Sequence, residues 1–222
     1  MTAHKFVVAA LAVLMAAACS AQDDAGGQGA TAAQEGTGDI SWDISQARKE
    51  VFYWDVDGIF ALTDGGFVFI DQIPDGIQTL VGTPAQDLLL LGAFIEDEAG
   101  QVVGIASELE EFDRPVTEEA RHDATWTLKI SGRGTLVGHQ IEISTPEARD
   151  FLAQLAAANE PWRGEFIAHG TVGPAANGMG IIMGGSGEFE GARGYMTEEN
   201  VYREFDGTNY DVRTRLTFYL MD

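Results

Sequence analysis

From residue 40 onward, short apolar segments alternate with turn residues, a pattern typical of β-strands joined by short connections. The clearest alternation is at 126–131, where Trp126, Leu128 and Ile130 share one face. Segment 87–95 is almost continuously apolar and is predicted as a strand buried on both faces. Further strands are predicted at 51–56, 66–71, 101–109, 134–143, 164–172 and 210–220, and the acidic stretch 110–123 is predicted as a loop.

One segment has helical periodicity instead. Ser144-Thr145-Pro146-Glu147 combines capping residues with a proline and an acid in the first turn. Apolar residues then recur at helical spacing, and the helix is predicted to end near 158–159. About eight strands and one amphipathic helix predict an all-β fold, an antiparallel barrel or sandwich. Closure into a barrel is favoured because it removes exposed strand edges.

Ahead of this domain lies an apolar run, Phe6–Ala18, which has the length of a signal-peptide core and is too short to cross a bilayer. It ends in Ala16-Ala17-Ala18-Cys19-Ser20, which resembles a bacterial lipoprotein signal, although that family usually has leucine at the position of Ala16. The resemblance implies that 1–18 is removed and that Cys19 is lipidated. The protein would then be exported and anchored in the bacterial envelope, at the outer membrane in a Gram-negative cell. A plain secretory signal with Ala-x-Ala cleavage is the alternative.

The segment after the signal, 19–39, is small, polar and rich in glycine, so it is predicted to be a flexible tether to a barrel domain at 40–222. Cys19 is the only cysteine, which excludes an intramolecular disulfide. The net charge of −22 argues against nucleic acid and anionic lipid headgroups as partners. The charge and the polar segment at 19–39 together indicate a soluble acidic domain joined to its anchor by a flexible linker.

A glycine-rich stretch at 178–195 contains two large polar side chains, Arg193 and Tyr195. An arginine turned into an apolar barrel would bind a ligand oxygen and stabilise negative charge there, with the Tyr195 hydroxyl as a neighbouring donor. Asp71 and Asp55 each end an apolar strand and are candidate general acids. Structural roles remain open for all of these residues. No histidine pair has metal-ligand spacing, so neither a metal nor another cofactor is predicted.

The same stretch resembles a known family. Gly184-Gly-Ser-Gly-Glu-Phe-Glu-Gly-Ala-Arg-Gly-Tyr195 is similar to the Gly-Gly-Thr-Gly-x-Phe-x-x-Ala-Arg-Gly segment of dirigent proteins and allene oxide cyclases. The resemblance covers 164–220, and both 51–55 and 67–71 resemble the opening strand of that family. It implies an eight-stranded antiparallel barrel, usually a homotrimer, with the helix as an insert. It also implies an interior pocket for a small hydrophobic or phenolic ligand, lined by Arg193.

Three functions follow as hypotheses. The first is a lipid-anchored barrel that guides the cyclisation or isomerisation of a small hydrophobic substrate without a cofactor. The second is a non-catalytic envelope lipoprotein that carries or senses such a ligand. The third is a structural lipoprotein whose barrel is filled with side chains. A packed interior would favour the third hypothesis, and polar side chains facing one another across a cavity would favour the first.

Overall fold

The structure, a computed structural model, describes residues 42–55, 60–63, 88–112 and 121–221. A short 3-10 helix, Ile44–Gln46, precedes the sheet. The strands are β1 Arg48–Asp55, β2 Phe60–Thr63, β3 Leu88–Glu96, β4 Val102–Phe112, β5 Arg121–Ile130, β6 Gly134–Ile143, β7 Trp162–His169, β8 Thr171–Gly173, β9 Gly180–Gly187, β10 Arg193–Phe205 and β11 Tyr210–Met221. The helix α1 is Pro146–Ala158. The predicted signal, tether and strand at 66–71 lie outside the described residues.

Eight strands form a closed antiparallel ring in the order β1-β11-β10-β9-β6-β5-β4-β3, and β3 pairs with β1 to complete it. Short strands share two positions in this ring. β1 and β2 pair with different parts of β3, while β7, β8 and β9 divide the space between β10 and β6. The predicted all-β, eight-stranded antiparallel barrel with one helix is confirmed.

Large apolar side chains fill one part of the interior. The indoles of Trp54 and Trp126 meet edge to face with ring centroids 4.8 Å apart, and both are almost fully buried. The predicted inward face of β5 is confirmed, because Leu128 and Ile130 are buried beside Trp126. The same cluster includes Leu216 and Phe218 of β11. Such dense packing excludes water and leaves little free volume in this part of the barrel.

The glycine-rich stretch forms the end of β9 and a turn that packs against the β5–β6 hairpin. Gly187 has φ +65°, and a Cβ there would lie 2.5 Å from the carbonyl oxygen of Arg133. Phe189 enters the core under the Arg133 guanidinium, 5.0 Å from its ring centroid. Arg133 also forms ion pairs with Glu50 and Glu188 at 2.8 and 2.7 Å. The glycines thus allow close packing of the turn on its neighbour.

The helix α1 has the predicted bounds. The Thr145 hydroxyl caps it by accepting from the Ala148 amide, and Asn159 ends it in the left-handed conformation. Its Phe151 ring stacks on Phe166 of β7 at 4.0 Å, so the helix packs on β7. Within the described part of the chain, no helix has the length and apolar character needed to cross a membrane.

The predicted loop at 110–123 is partly wrong. β4 continues to Phe112 and β5 begins at Arg121, so both ends of this acidic stretch belong to the barrel wall. The apolar pattern stops there because the inward-facing side chains become polar. Glu110 and His122 are buried at only 4% exposure each, although both were placed in the predicted loop.

Candidate functional site

Four glutamates lie inside the barrel, beyond its apolar part. Glu108 and Glu110 come from β4, Glu142 from β6 and Glu198 from β10, and each exposes 8% of its surface or less. Alternation along a strand explains how they come to face inward. On β4 the residues at the outward positions include apolar Ile105 and Leu109, which are more than half exposed, so this strand has its polar side toward the core.

A hydrogen-bond network orients two of these carboxylates. Gln140 donates from Nε2 to Glu198 Oε2 and to Glu142 Oε1. Trp126 adds a donor from Nε1 to Glu198 Oε2 at 3.1 Å. Behind them, the Thr171 hydroxyl accepts from the Glu198 amide and donates to Gln140 Oε1, both at 2.7 Å. Because Thr171 supplies a donor to Gln140 Oε1, the amide nitrogen of Gln140 must face the glutamates.

Burial dominates the electrostatics of the cluster. It raises the pKa of Glu110 to about 8, with repulsion from Glu198 as the next cause, and the pKa of Glu142 to about 7, with repulsion from Glu110 next. It also raises the pKa of Glu108 and of Glu198 well above the ordinary value. The donors from Gln140 and Trp126 oppose this rise at Glu198. Near neutral pH the cluster therefore holds both protonated and ionised carboxyl groups.

Two oxygens of the cluster remain open. Within the described residues, Glu108 Oε1 and Glu110 Oε2 are buried and have no hydrogen-bond partner. His122 Nδ1 approaches Glu110 Oε2 only to 3.9 Å. A buried polar atom without a partner costs roughly 1–3 kcal/mol, so these oxygens are the natural contacts for something that enters the site.

Glu108, Glu142 and Glu198 each offer a carboxylate oxygen within 4.8 Å of the others. Oxygens this close suit either proton sharing or a hard cation that takes oxygen ligands. N–H donors already contact Glu198 Oε2 and Glu142 Oε1, which favours proton sharing. The prediction that no metal binds was based on the spacing of histidines and cysteines. Three carboxylates on three different strands are far apart in the sequence, so no spacing rule could have grouped them.

The residues predicted from the sequence do not belong to this cluster. Arg193 is exposed at the start of β10 and does not lie in the apolar interior, and its catalytic and ligand-binding roles stay predictions. It lies five residues before Glu198, about 16 Å along an extended strand. Gly194 lies between Arg193 and Tyr195 and has φ +134°. A Cβ at Gly194 would clash with the backbone of β11, so the glycine is needed for β10 and β11 to pack closely.

Tyr195 is buried, but under the segment that precedes β1. Its hydroxyl accepts from the Trp42 amide at 3.2 Å, and the two rings meet at 5.1 Å. The next residue, Met196, points into the core, so Tyr195 lies on the other face of β10. Tyr195 therefore lies away from the glutamates, and its predicted contact with a ligand stays a prediction.

The two aspartates remain predictions. Asp55 is the last residue of β1 and pairs in register with Arg213, but its side chain is outside the description. Asp71 and Cys19 lie outside the described residues. None of the four glutamates was predicted. The pairing of β4 with β5 would have indicated the position of Glu108. It lies opposite the buried Trp126, and cross-strand partners share a face of the sheet.

Comparison with known proteins does not indicate a function for this chain. No protein-family model matches the chain, and no curated protein sequence matches it. Among solved structures, it is similar to pyocyanin demethylase, with a TM-score of 0.35 and 14% sequence identity. That alignment covers 78% of this chain and 100% of the other. Function must therefore be inferred from the side chains of this protein.

Proposed function

We propose that this protein is an exported, lipid-anchored barrel that binds a small, largely apolar organic molecule and catalyses a cofactor-free isomerisation or cyclisation by proton transfer. The supporting observation is the group of four buried glutamates. Buried carboxyls without lysine or arginine partners reduce stability, and apolar residues of similar size would pack at lower cost. Strongly shifted pKa values in an interior cluster are typical of functional sites.

The chemistry follows from the mixture of protonation states. Around neutral pH, Glu142, with a pKa of about 7, acts as a base in its ionised form. Glu110, with a pKa of about 8, acts as an acid in its protonated form. One carboxylate removes a proton from a ligand carbon and another carboxyl returns a proton elsewhere on the ligand. The net change is a shift of bonds within the ligand, so no oxidant or reductant is needed.

The apolar part of the barrel supports this chemistry. Trp126 spans both environments, because its ring packs on Trp54 while its Nε1 donates to Glu198. A molecule bound at the glutamates would lie beside the Nε1 edge of Trp126, next to the packed rings and not among them. Water exclusion on that side strengthens electrostatic interactions with charge that develops during the reaction.

Native mass spectrometry of the protein purified from its own host tests binding. We expect a small molecule on the wild type that is lost from Glu142→Gln and retained by Glu111→Gln, a matched change at an exposed position of β4. Transfer to D2O then tests catalysis. The wild type should introduce deuterium at a carbon of the bound molecule, and Glu142→Gln should not. A wild type that never carries a small molecule would contradict the proposal.

The second candidate is a structural lipoprotein whose barrel is filled with its own side chains. The solid packing around Trp54, Leu216 and Phe218 favours it, since that part of the barrel has little free volume. A purified wild type that carries no small molecule would select this alternative, whereas binding without deuterium uptake would indicate a non-catalytic carrier or sensor. The lipid anchor at Cys19, the outer-membrane location and the homotrimer belong to the proposal as well. Palmitate labelling that is lost in Cys19→Ala tests the anchor, and the mass of the native assembly tests the trimer.

A further inference from the structure

The open oxygens of the cluster restrict the chemistry of its ligand. Glu108 Oε1 and Glu110 Oε2 both belong to β4, two residues apart, and therefore project from the same face of one strand. Each is almost completely buried, and neither has a hydrogen-bond partner in the described part of the protein. In their ionised form these oxygens only accept hydrogen bonds, and a cationic donor beside them would favour that form against the burial that raises the pKa of both carboxyls.

Charge restricts the ligand further. The buried acidic and basic side chains of the described barrel are four glutamates and His122, with no lysine or arginine among them. Glu198 and Glu142 obtain donors from Gln140 and Trp126, whereas no protein N–H reaches the open oxygen of Glu108 or Glu110. The protein as a whole has a net charge of −22, which attracts cations and repels anions at long range.

We propose that the ligand carries a protonated primary or secondary amine, which donates N–H groups to Glu108 Oε1 and Glu110 Oε2. This inference rests on the proposed function and specifies the ligand class of the same site. An ammonium supplies at least two donors and a compensating positive charge, so one group satisfies both oxygens. Hydrogen bonds between charged partners are about twice as strong as neutral ones.

Other occupants match the open oxygens less well. A phenol or alcohol offers one O–H donor and no charge, and a quaternary ammonium offers charge but no donor. A bare metal ion would lie among Glu108, Glu142 and Glu198, where N–H groups of Gln140 and Trp126 already contact the carboxylates. It would also leave Glu110, which is not part of that three-carboxylate group, without a partner.

Matched pairs of compounds test the inference on the full-length protein at pH 7. Benzylamine, phenethylamine and cyclohexylamine are each compared with the alcohol of the same carbon skeleton. Benzyltrimethylammonium, p-cresol and CaCl2 complete the set. Thermal unfolding detects binding, and calorimetry gives the dissociation constants. We expect at least one primary amine to bind about tenfold or more tightly than its alcohol partner.

Variants then locate the contact. Glu108→Gln and Glu110→Gln should each weaken amine binding about tenfold, because each removes the charge at one open oxygen. Glu111→Gln, on the exposed face of the same strand, should leave it unchanged. The comparison between an amine and its alcohol on the wild type needs no variant, so it stays informative if a variant fails to fold.

The outcomes separate this inference from the proposed function. Alcohols, p-cresol or the quaternary compound binding as well as the amines would overturn the inference, as would binding of calcium alone. If none of the amines binds, the inference is also wrong. In each of these cases a neutral molecule found on the protein from its own host would leave the proposed function standing. If that preparation carries no molecule either, both fail.

Discussion

Raising the pH should destabilise the folded barrel, because its buried glutamates bind protons more tightly than the unfolded chain does. Folding raises the pKa of Glu142 from 4.5 to about 7 and that of Glu110 to about 8. A group whose pKa is raised in the folded state contributes full stability below its unfolded pKa. That contribution is lost as the pH rises through the folded pKa, so the loss should extend from about pH 4.5 to about pH 8.

The magnitude follows from proton linkage. Each carboxyl that is protonated in the folded state and ionised in the unfolded state lowers the free energy of unfolding by about 1.4 kcal/mol per pH unit. Between pH 6 and pH 8, Glu110 contributes over both units and Glu142 over the first. Their combined loss is on the order of 4 kcal/mol, a large fraction of the stability of an ordinary domain. Glu108 and Glu198 act in the same direction.

Urea unfolding followed by tryptophan fluorescence at a series of pH values measures this loss, since Trp54 and Trp126 are both buried. Glu142→Gln carries no titratable proton at this position and should therefore show a shallower pH dependence and greater stability at pH 8. Glu111→Gln should follow the wild type. A free energy of unfolding that stays constant or increases between pH 6 and pH 8 would refute the description of these glutamates as buried and protonated.

Four further substitutions test the packing and one buried hydrogen bond. Gly132→Ala should lower the free energy of unfolding by about 1–2 kcal/mol because of its positive φ alone. Gly187→Ala should lower it more, because its Cβ would also lie 2.5 Å from a backbone oxygen. Equal losses for the two variants in chemical denaturation would contradict this. Phe189→Ala should lower the free energy of unfolding by about 3–5 kcal/mol, and a loss below 1 kcal/mol would show that the ring is not a core element. Trp126→Phe removes a donor that lowers the pKa of Glu198, so stability should fall more steeply as the pH rises. Unfolding followed by circular dichroism at several pH values measures this slope, and an unchanged slope would argue against the hydrogen bond.

The fold could be predicted where one local pattern dominated. β5 has one apolar and one polar face, and α1 has both a capping residue and helical spacing, so each was placed from its own residues. The ring itself depends on pairings between distant segments, such as β1 with β11 and β3, which local patterns do not specify. The number of strands and the need to remove edges were sufficient to favour a barrel.

The candidate site could not be predicted in the same way. Its glutamates come from three strands, and each looks like an ordinary solvent-exposed acid in the sequence. On β4 the apolar residues Ile105 and Leu109 face outward, so the usual rule that places apolar side chains inside gives the wrong face. Arg193 was favoured because it stands among small residues, yet those residues serve the packing of strands. The register of β4 against β5, with Glu108 opposite Trp126, shows that the two acids of β4 face inward.

The wall beside Glu142 and Glu198 is assembled from short pieces. β8 pairs with β6 at Glu142, β7 pairs with β10 just beyond Glu198, and β9 pairs with the opposite ends of both strands. Segments held by few hydrogen bonds open at a lower free-energy cost than long continuous strands. We therefore expect this seam to open to water more readily than the long β10–β11 ladder. Amide exchange should be faster in β8 than in β11.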